Sequence, residues 1–318
     1  MRKIQHIEVK SEIAAGTRGA SLGIDALKVA SINSQSSYFK GYQAKEVATE
    51  NQVLFEENDT PNAKHVEIVY EIEQRVCNAV SETLKEDKFP LILAGDHSTA
   101  AGTISGIKAA NSEKRLGVIW IDAHADLHTP YTTPSGNMHG MPLAMVSGVD
   151  NLDCKINDPS EKEVTYWNKI KAIGGSGAKI NIEDIVFVVA RDLEKSEIQL
   201  LKKHEIKNFT TDEVRTIGIE QVAEQALSRL SDCDIIYISF DVDSMDAALS
   251  VGTGTPVPNG LSVEEAIKLN CLLVKDAKVC AWEMVEVNPT LDTVNMMAEN
   301  ALQVLEATTN EIKARLEK

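Results

Sequence analysis

Residues 117–126 read GVIWIDAHAD, and the chain continues with LHTP. The first five are apolar and rich in β-branched side chains, the pattern of a buried strand. The strand then runs into Asp122, His124, Asp126 and His128, spaced at every second position. In an extended chain, side chains at i, i+2 and i+4 point to one side. Asp122, His124 and Asp126 therefore converge if the extension persists past Ile121. Two further apolar runs end the same way: LILAG (91–95) leads into Asp96-His97, and IYISF (236–240) into Asp241 and Asp243. Open α/β sheets build their ligand sites at the carboxyl ends of strands.

Four clustered carboxylates cannot all stay ionised unless something cancels their charge. Two divalent cations match that charge, and neutral imidazoles from His97 and His124 add nitrogen ligands without altering the balance. A donor set of mostly oxygen with some imidazole suits Mn²⁺, with Zn²⁺, Fe²⁺ or Co²⁺ as competitors. Two such cations side by side can activate a water near neutral pH.

Working outward, apolar runs alternate with amphipathic segments from about residue 88. PLILAG (90–95), DIVFVVA (184–190), DIIYISF (234–240) and VCAWEMVEV (279–287) read as buried strands beside GVIWI. Segments 98–111, 194–204, 219–230 and 262–276 show helical spacing, and Ser262 with Glu265 forms a capping box. A long helix is expected over roughly 62–87 and a closing helix over roughly 293–317. The alternation predicts an α/β fold: three layers, α/β/α, around a mainly parallel central sheet. Stretches 124–138 and 243–261 are rich in Gly, Pro, Thr and Ser and read as functional loops after strands. No linker or repeat divides the chain, so residues 1–318 read as one domain, with 1–60 as its atypical part.

Of the 318 residues, 43% are hydrophobic, enough for a sizeable core, and the net charge is −16. With no Lys/Arg-rich run, such a chain is repelled by nucleic acid and by anionic membranes. Five scattered cysteines without a CxxC pair point to reduced thiols and a cytoplasmic protein. Neither a signal peptide nor an apolar run long enough to span a membrane is visible.

The segments AGDHS (94–98), DAHAD (122–126), SFDVDSMD (239–246), GTGTP (252–256) and EVNPTLD (286–292) together resemble the arginase/agmatinase (ureohydrolase) family, in its order and over roughly 90–295. Over the first 60 residues the resemblance is loose, confined to RGASLGIDAL (18–27). It implies the family's fold, a binuclear Mn²⁺ centre, hydrolysis of guanidino or amidino groups, and trimers or hexamers. Residue by residue, it implies that His97, Asp122, Asp126 and Asp241 bind one metal or bridge. His124 and Asp243 would complete the second site, with Asp122 and Asp241 as bridges.

TTPSGNMHGMPLAM (132–145) resembles the arginase branch, which implies Ser135 and Asn137 as contacts to a substrate α-carboxylate and His139 as proton shuttle. EVNP implies that Glu286 holds the guanidinium, a natural partner for a carboxylate on a buried strand. RDLEKSE (191–197) implies Glu194 and Glu197 as contacts to an α-amino group, and GTGTP implies Thr255 beside substrate. Asp126 would stabilise the tetrahedral intermediate. The reading is hydrolysis of L-arginine to L-ornithine and urea. Agmatine, another guanidino acid or formimidoylglutamate is the alternative substrate, and a non-catalytic protein of this fold is the second alternative.

The chain departs from the family pattern in three places. His128 stands where arginases usually have an Asn that contacts the α-carboxylate, Glu194 where Asp is usual, and Ser244 and Ala247 where Gly and Pro are common.

Overall fold

A computed structural model describes residues 2–318. Its first third holds β1 (Lys3–Val9), α1 (Gly23–Asn33), β2 (Ala44–Val47), α2 (Val66–Lys85), β3 (Lys88–Ala94) and α3 (Ala100–Ala110). The middle follows with β4 (Leu116–Ile121), α4 (Pro142–Ser147), α5 (Glu161–Lys171), β5 (Ile185–Val188), α6 (Lys195–Lys203) and β6 (Lys207–Phe209). α7 (Thr211–Ile217), α8 (Ile219–Arg229), β7 (Ile235–Asp241), α9 (Val263–Leu273), β8 (Val279–Val285) and α10 (Met296–Leu316) complete the chain.

All strands join one 8-stranded sheet in the order β2-β1-β3-β8-β7-β4-β5-β6. Every pairing is parallel, so the mainly parallel sheet expected is parallel throughout. One hydrophobic core packs α2, α3, α4 and α5 on one face; a second packs α1, α8, α9 and α10 on the other. This is the three-layer arrangement the alternation predicts. Strands β4, β7 and β8 are buried at every residue, which explains their unbroken apolar sequences. The five cysteines are free thiols.

The Ser262/Glu265 capping box is present, with Glu265 N–H on Ser262 Oγ at 3.1 Å and Ser262 N–H on the Glu265 carboxylate at 2.8 Å. Three boxes unread in the sequence, Ser160/Glu163, Glu194/Glu197 and Thr210/Glu213, start α5, α6 and α7. Within the first 60 residues β1 adds an inner strand, α1 a covering helix and β2 an edge strand. Polar residues in KIQHIEV and the half-exposed AKEV hide these strands from a search for apolar runs.

What the sheet positions is its carboxyl edge. β3, β8, β7 and β4 are consecutive neighbours, so the turns that follow them meet at one place. Three non-glycine residues on this edge take left-handed backbone angles: Asp126 (φ 49), Val189 (φ 65) and Glu286 (φ 68). Such conformations cost about 1–3 kcal/mol each and persist only where the surroundings impose them.

Candidate metal centre and its pocket

The turn after β3 has no room for a side chain at Gly95, where a Cβ would lie 2.0 Å from the Ser11 carbonyl oxygen. The loop after β1 therefore packs directly on this turn. Asp96 opens the short helical turn His97–Thr99 by accepting the Ser98 N–H at 3.0 Å, and the turn aims His97 across the ends of β7 and β4. His97 Nδ1 lies 3.1 Å from Asp122 Oδ2, 3.1 Å from Asp126 Oδ2 and 3.0 Å from Asp241 Oδ2. The ring stacks on Trp120 at 4.1 Å between centroids, and its Nε2 is 2.7 Å from Ser239 Oγ. Packing on one face and a hydrogen bond behind fix the ring's direction.

A second group adjoins the first. His124 Nδ1 is 3.4 Å from Asp122 Oδ1 and 3.1 Å from Asp243 Oδ2. Asp122 thus turns one oxygen to each group. Asp241 turns Oδ2 to the first, while its Oδ1 accepts the Asp243 N–H at 2.9 Å. Five of the six residues expected to bind metal form two candidate groups, His97–Asp122–Asp241 and Asp122–His124–Asp243, so that of the two expected bridges only Asp122 belongs to both; Asp126 lies outside these groups and joins the first through His97 Nδ1.

No Lys or Arg among the described residues pairs with these four carboxylates. Burial, together with the neighbouring Asp122 charge, pushes the Asp126 carboxyl up to about 6 and raises Asp243 as well. Asp241 rises through burial and the charges of Asp243 and Asp122. Burial opposes charge on His97 and His124, yet the carboxylates around them win and hold both well above the ordinary histidine range. Among themselves the six side chains can balance their charge only with protons. His97 Nδ1 and Asp122 Oδ2 are also buried without a hydrogen-bond partner. An imidazole nitrogen turned to three carboxylate oxygens is a cage for a cation, so this donor set fits two divalent metal ions.

Beside the cluster, Glu286 is the first residue after β8 and only 3% exposed. Its N–H donates to the Gly95 carbonyl at 2.8 Å, and its Oε1 accepts the His97 N–H at 2.9 Å. The same oxygen is 3.0 Å from His139 Nδ1. His139 sits on the short turn Met138–Gly140, and its N–H donates to the Ala14 carbonyl at 3.2 Å. Burial disfavours its charge, but Glu286, with Asp126 and Asp96 behind it, pushes its pKa up to about 9.

The outer residues are held differently. Thr255 Oγ1 donates to Asp243 Oδ2 at 3.1 Å, so it reaches the metal cluster. Ser135 Oγ accepts the Asn137 N–H at 3.2 Å, and Asn137 Oδ1 accepts Lys64 Nζ at 2.9 Å. His128 Nδ1 is 3.3 Å from Thr132 Oγ1, while its Nε2 stays 3.9 Å from Glu194 and 3.7 Å from Glu197, beyond hydrogen-bond reach. Glu197 lines the pocket, but both its oxygens are engaged by backbone, with Leu127 N–H at 3.2 Å and Glu194 N–H at 3.0 Å. It caps α6 and anchors the loop after β4. Glu194 is the more open carboxylate, its side chain 54% exposed.

Three residues to which the sequence reading gave no role belong here. Asp192 lines the pocket beside His124 and lies inside the RDLEKSE segment that drew attention to its neighbours. Asp96, inside AGDHS, accepts the Ala14 N–H at 3.2 Å and Ser11 Oγ–H at 3.3 Å, tying the loop after β1 to the metal turn. Lys64 is a lone cation before α2 and carries no sequence signal.

A parallel α/β sheet whose central strands end in a two-part Asp/His donor cluster is the framework of a binuclear metallohydrolase. The chain belongs to the arginase family: the Arginase family model matches residues 6–309, which includes most of the N-terminal segment that the sequence motifs left out. It is 34% identical over 302 residues to the arginase of Brevibacillus brevis, covering 94% of this chain and 95% of that one. Among solved structures, Bacillus caldovelox arginase superposes with a TM-score of 0.81 at 31% identity, over 97% of this chain and 98% of that one. Entamoeba histolytica arginase in complex with L-ornithine also gives 0.81, at 26% identity, over 97% and 98%. No helix of the described residues is long and apolar enough to cross a membrane.

Proposed function

We propose that this chain hydrolyses L-arginine to L-ornithine and urea, as a single-domain cytoplasmic enzyme assembled as a trimer or hexamer. Two Mn²⁺ ions would be held by His97, Asp122, Asp126, Asp241, His124 and Asp243. The observation that carries the reading is His97 Nδ1 facing three carboxylate oxygens at 3.0–3.1 Å, with Glu286 and His139 beside it. When bound, the two cations supply Lewis acidity that lowers the pKa of water and neutralises the surrounding carboxylates.

The chain's own residues account for the rest. Glu286 presents a buried carboxylate for a guanidinium. Its Oε1 is already shared by His97 N–H and His139, which leaves Oε2 to take the charged hydrogen bonds. Holding Glu286 through Nδ1, His139 keeps a proton at Nε2 and delivers it to the departing amine. Asp126 accepts hydrogen bonds from the nitrogens as the guanidinium carbon becomes tetrahedral. Thr255, fixed on Asp243, orients the substrate side. At the mouth, Ser135, Asn137 and His128 would meet the α-carboxylate and Glu194 the α-amino group; Glu197 shapes that wall as a cap. The acidic surface leaves nucleic acid and membranes outside the set of partners.

Urea release from L-arginine after incubation with Mn²⁺, run beside agmatine and guanidino acids with metal content measured on the same sample, tests this reading. Urea from arginine with two metals per chain is expected. Two metals and urea from agmatine alone would move the substrate, and absence of turnover on every compound would sink the enzyme reading.

A further inference from the structure

The pocket mouth has two walls of opposite character. One carries the carboxylates of Asp192, Glu194 and Glu197. The other is the Ser135–Asn137 loop, and behind it stands Lys64. The backbone N–H of Lys64 donates to the Gly136 carbonyl at 2.9 Å, and its Nζ donates to Asn137 Oδ1 at 2.9 Å. Half-buried, this ammonium has no carboxylate within ion-pair distance among the described residues. Among the described residues Arg18, on the neighbouring loop, likewise bonds only to the carbonyls of Glu12, Ala15 and Thr17.

An ammonium can only donate, so its contact fixes the orientation of the Asn137 amide. The oxygen faces Lys64, and the NH2 group, which donates to no acceptor among the described residues, lies 2.6 Å from where a Cβ on Gly16 would stand. Asn137 itself lines the pocket. Were Lys64 absent, the amide could turn over and set an oxygen against an incoming carboxylate.

We propose that Lys64 is a specificity-determining residue, which orients Asn137 as a carboxylate donor and adds a positive charge behind it. The mouth then accepts a zwitterionic α-amino acid in preference to an amine or an acid. This deepens the arginine reading and rests on it. A head group with both charges on one carbon meets both walls. An amine without a carboxylate leaves the Lys64 wall unmatched, and an acid without an amine leaves Glu194 facing nothing. Because Lys64 acts through Asn137, it is a positioning residue.

The test compares wild type, Lys64→Met and Lys64→Arg, each loaded with Mn²⁺. It reads calorimetric binding of L-ornithine and of 1,4-diaminobutane, with KM and kcat for L-arginine alongside. In Lys64→Met, ornithine affinity should fall about tenfold and KM for arginine should rise as much, equivalent to about 1.4 kcal/mol. Meanwhile diamine affinity and kcat should shift less than about twofold, and Lys64→Arg should restore most of the ornithine affinity. Equal losses for ornithine and diamine, or no loss for either, would overturn the proposal. If wild type bound ornithine but released no urea from arginine, the enzyme reading would fail while the binding comparison still judged Lys64.

Discussion

At and beneath the pocket floor, His97 meets three carboxylate oxygens at 3.0–3.1 Å, and Asp241 and Asp243, with Asp122 and Glu286 packed behind the lining, are each at most 3% exposed. At the mouth, His128 stops 3.7 Å short of one glutamate and 3.9 Å short of another, and Glu194 stands more than half in solvent. Floor residues are held by strand ends, stacked rings and backbone donors, so a lost atom there leaves buried charge uncompensated. Mouth residues sit on loops where water can replace a lost contact. The difference predicts a steep gradient of mutational cost from floor to mouth, and each prediction below can break it.

The largest effect belongs to the metal cage. Asp126→Asn or Asp241→Asn should lose metal and activity together, by about 10³-fold in turnover, while far-ultraviolet circular dichroism stays native. Full metal content with full turnover in either variant would remove that residue from the cage. One step outward, His139→Asn should keep both metals and lose about 10²-fold in kcat, the lower end of what a positioned proton donor contributes.

The His139–Glu286 pair can be read without turnover. In protein stripped by chelation, the His139 imidazole should titrate near 9, above the ordinary 6.5, because the Glu286 carboxylate outweighs burial. A raised folded-state value means a contribution to stability that is full below 6.5 and is lost as pH rises through about 9. Glu286→Gln should bring the titration, followed by NMR, back toward 6.5 or lower, since burial then acts with less opposition. A titration that stays near 9 in that variant would break the link.

The same floor-to-mouth gradient governs how legible the molecule is in its sequence. The floor is written in residues whose chemistry is costly anywhere else: Asp122, His124, Asp126, Asp241 and Asp243 directly after buried strands, and His97 after a third. The fold could be read for a related reason, since β4, β7 and β8 are buried along their whole length and leave unbroken apolar runs. β1 and β2 could not, because their polar residues resemble surface. Nor could the pairing of Asp96 with Ser11 and Ala14, which depends on contacts 85 and 82 residues apart. Glu197 carries a role that its motif does not announce. The motif suggests a substrate contact, and the residue does line the pocket, but each of its oxygens also accepts a backbone N–H, a capping role that only coordinates reveal.

Gly16 tests the join between the N-terminal loop and the mouth. A Cβ there would lie 2.6 Å from Asn137 Nδ2. The obstacle is the end of a side chain, so Gly16→Ala should fold, with the amide displaced. KM for L-arginine is expected to rise about fivefold, near 1 kcal/mol, with metal content retained. A rise with metal loss would mean that the loop supports the floor instead.

The smallest effect should come from His128→Asn, which restores the residue arginases usually carry. His128 gives up only its 3.3 Å contact with Thr132, since its Nε2 bonds to neither glutamate. Thr132 Oγ1 still accepts the Thr129 N–H at 3.0 Å, so the loop keeps its own support. The shorter amide trades one donor for another on the carboxylate side, where water fills the difference. KM for L-arginine should move by less than about threefold in either direction, less than the 1.4 kcal/mol that a tenfold change represents. A tenfold loss would show that His128 carries substrate-binding energy comparable to a buried contact. The division between a rigid floor and a replaceable mouth would then have to be redrawn with His128 on the inner side.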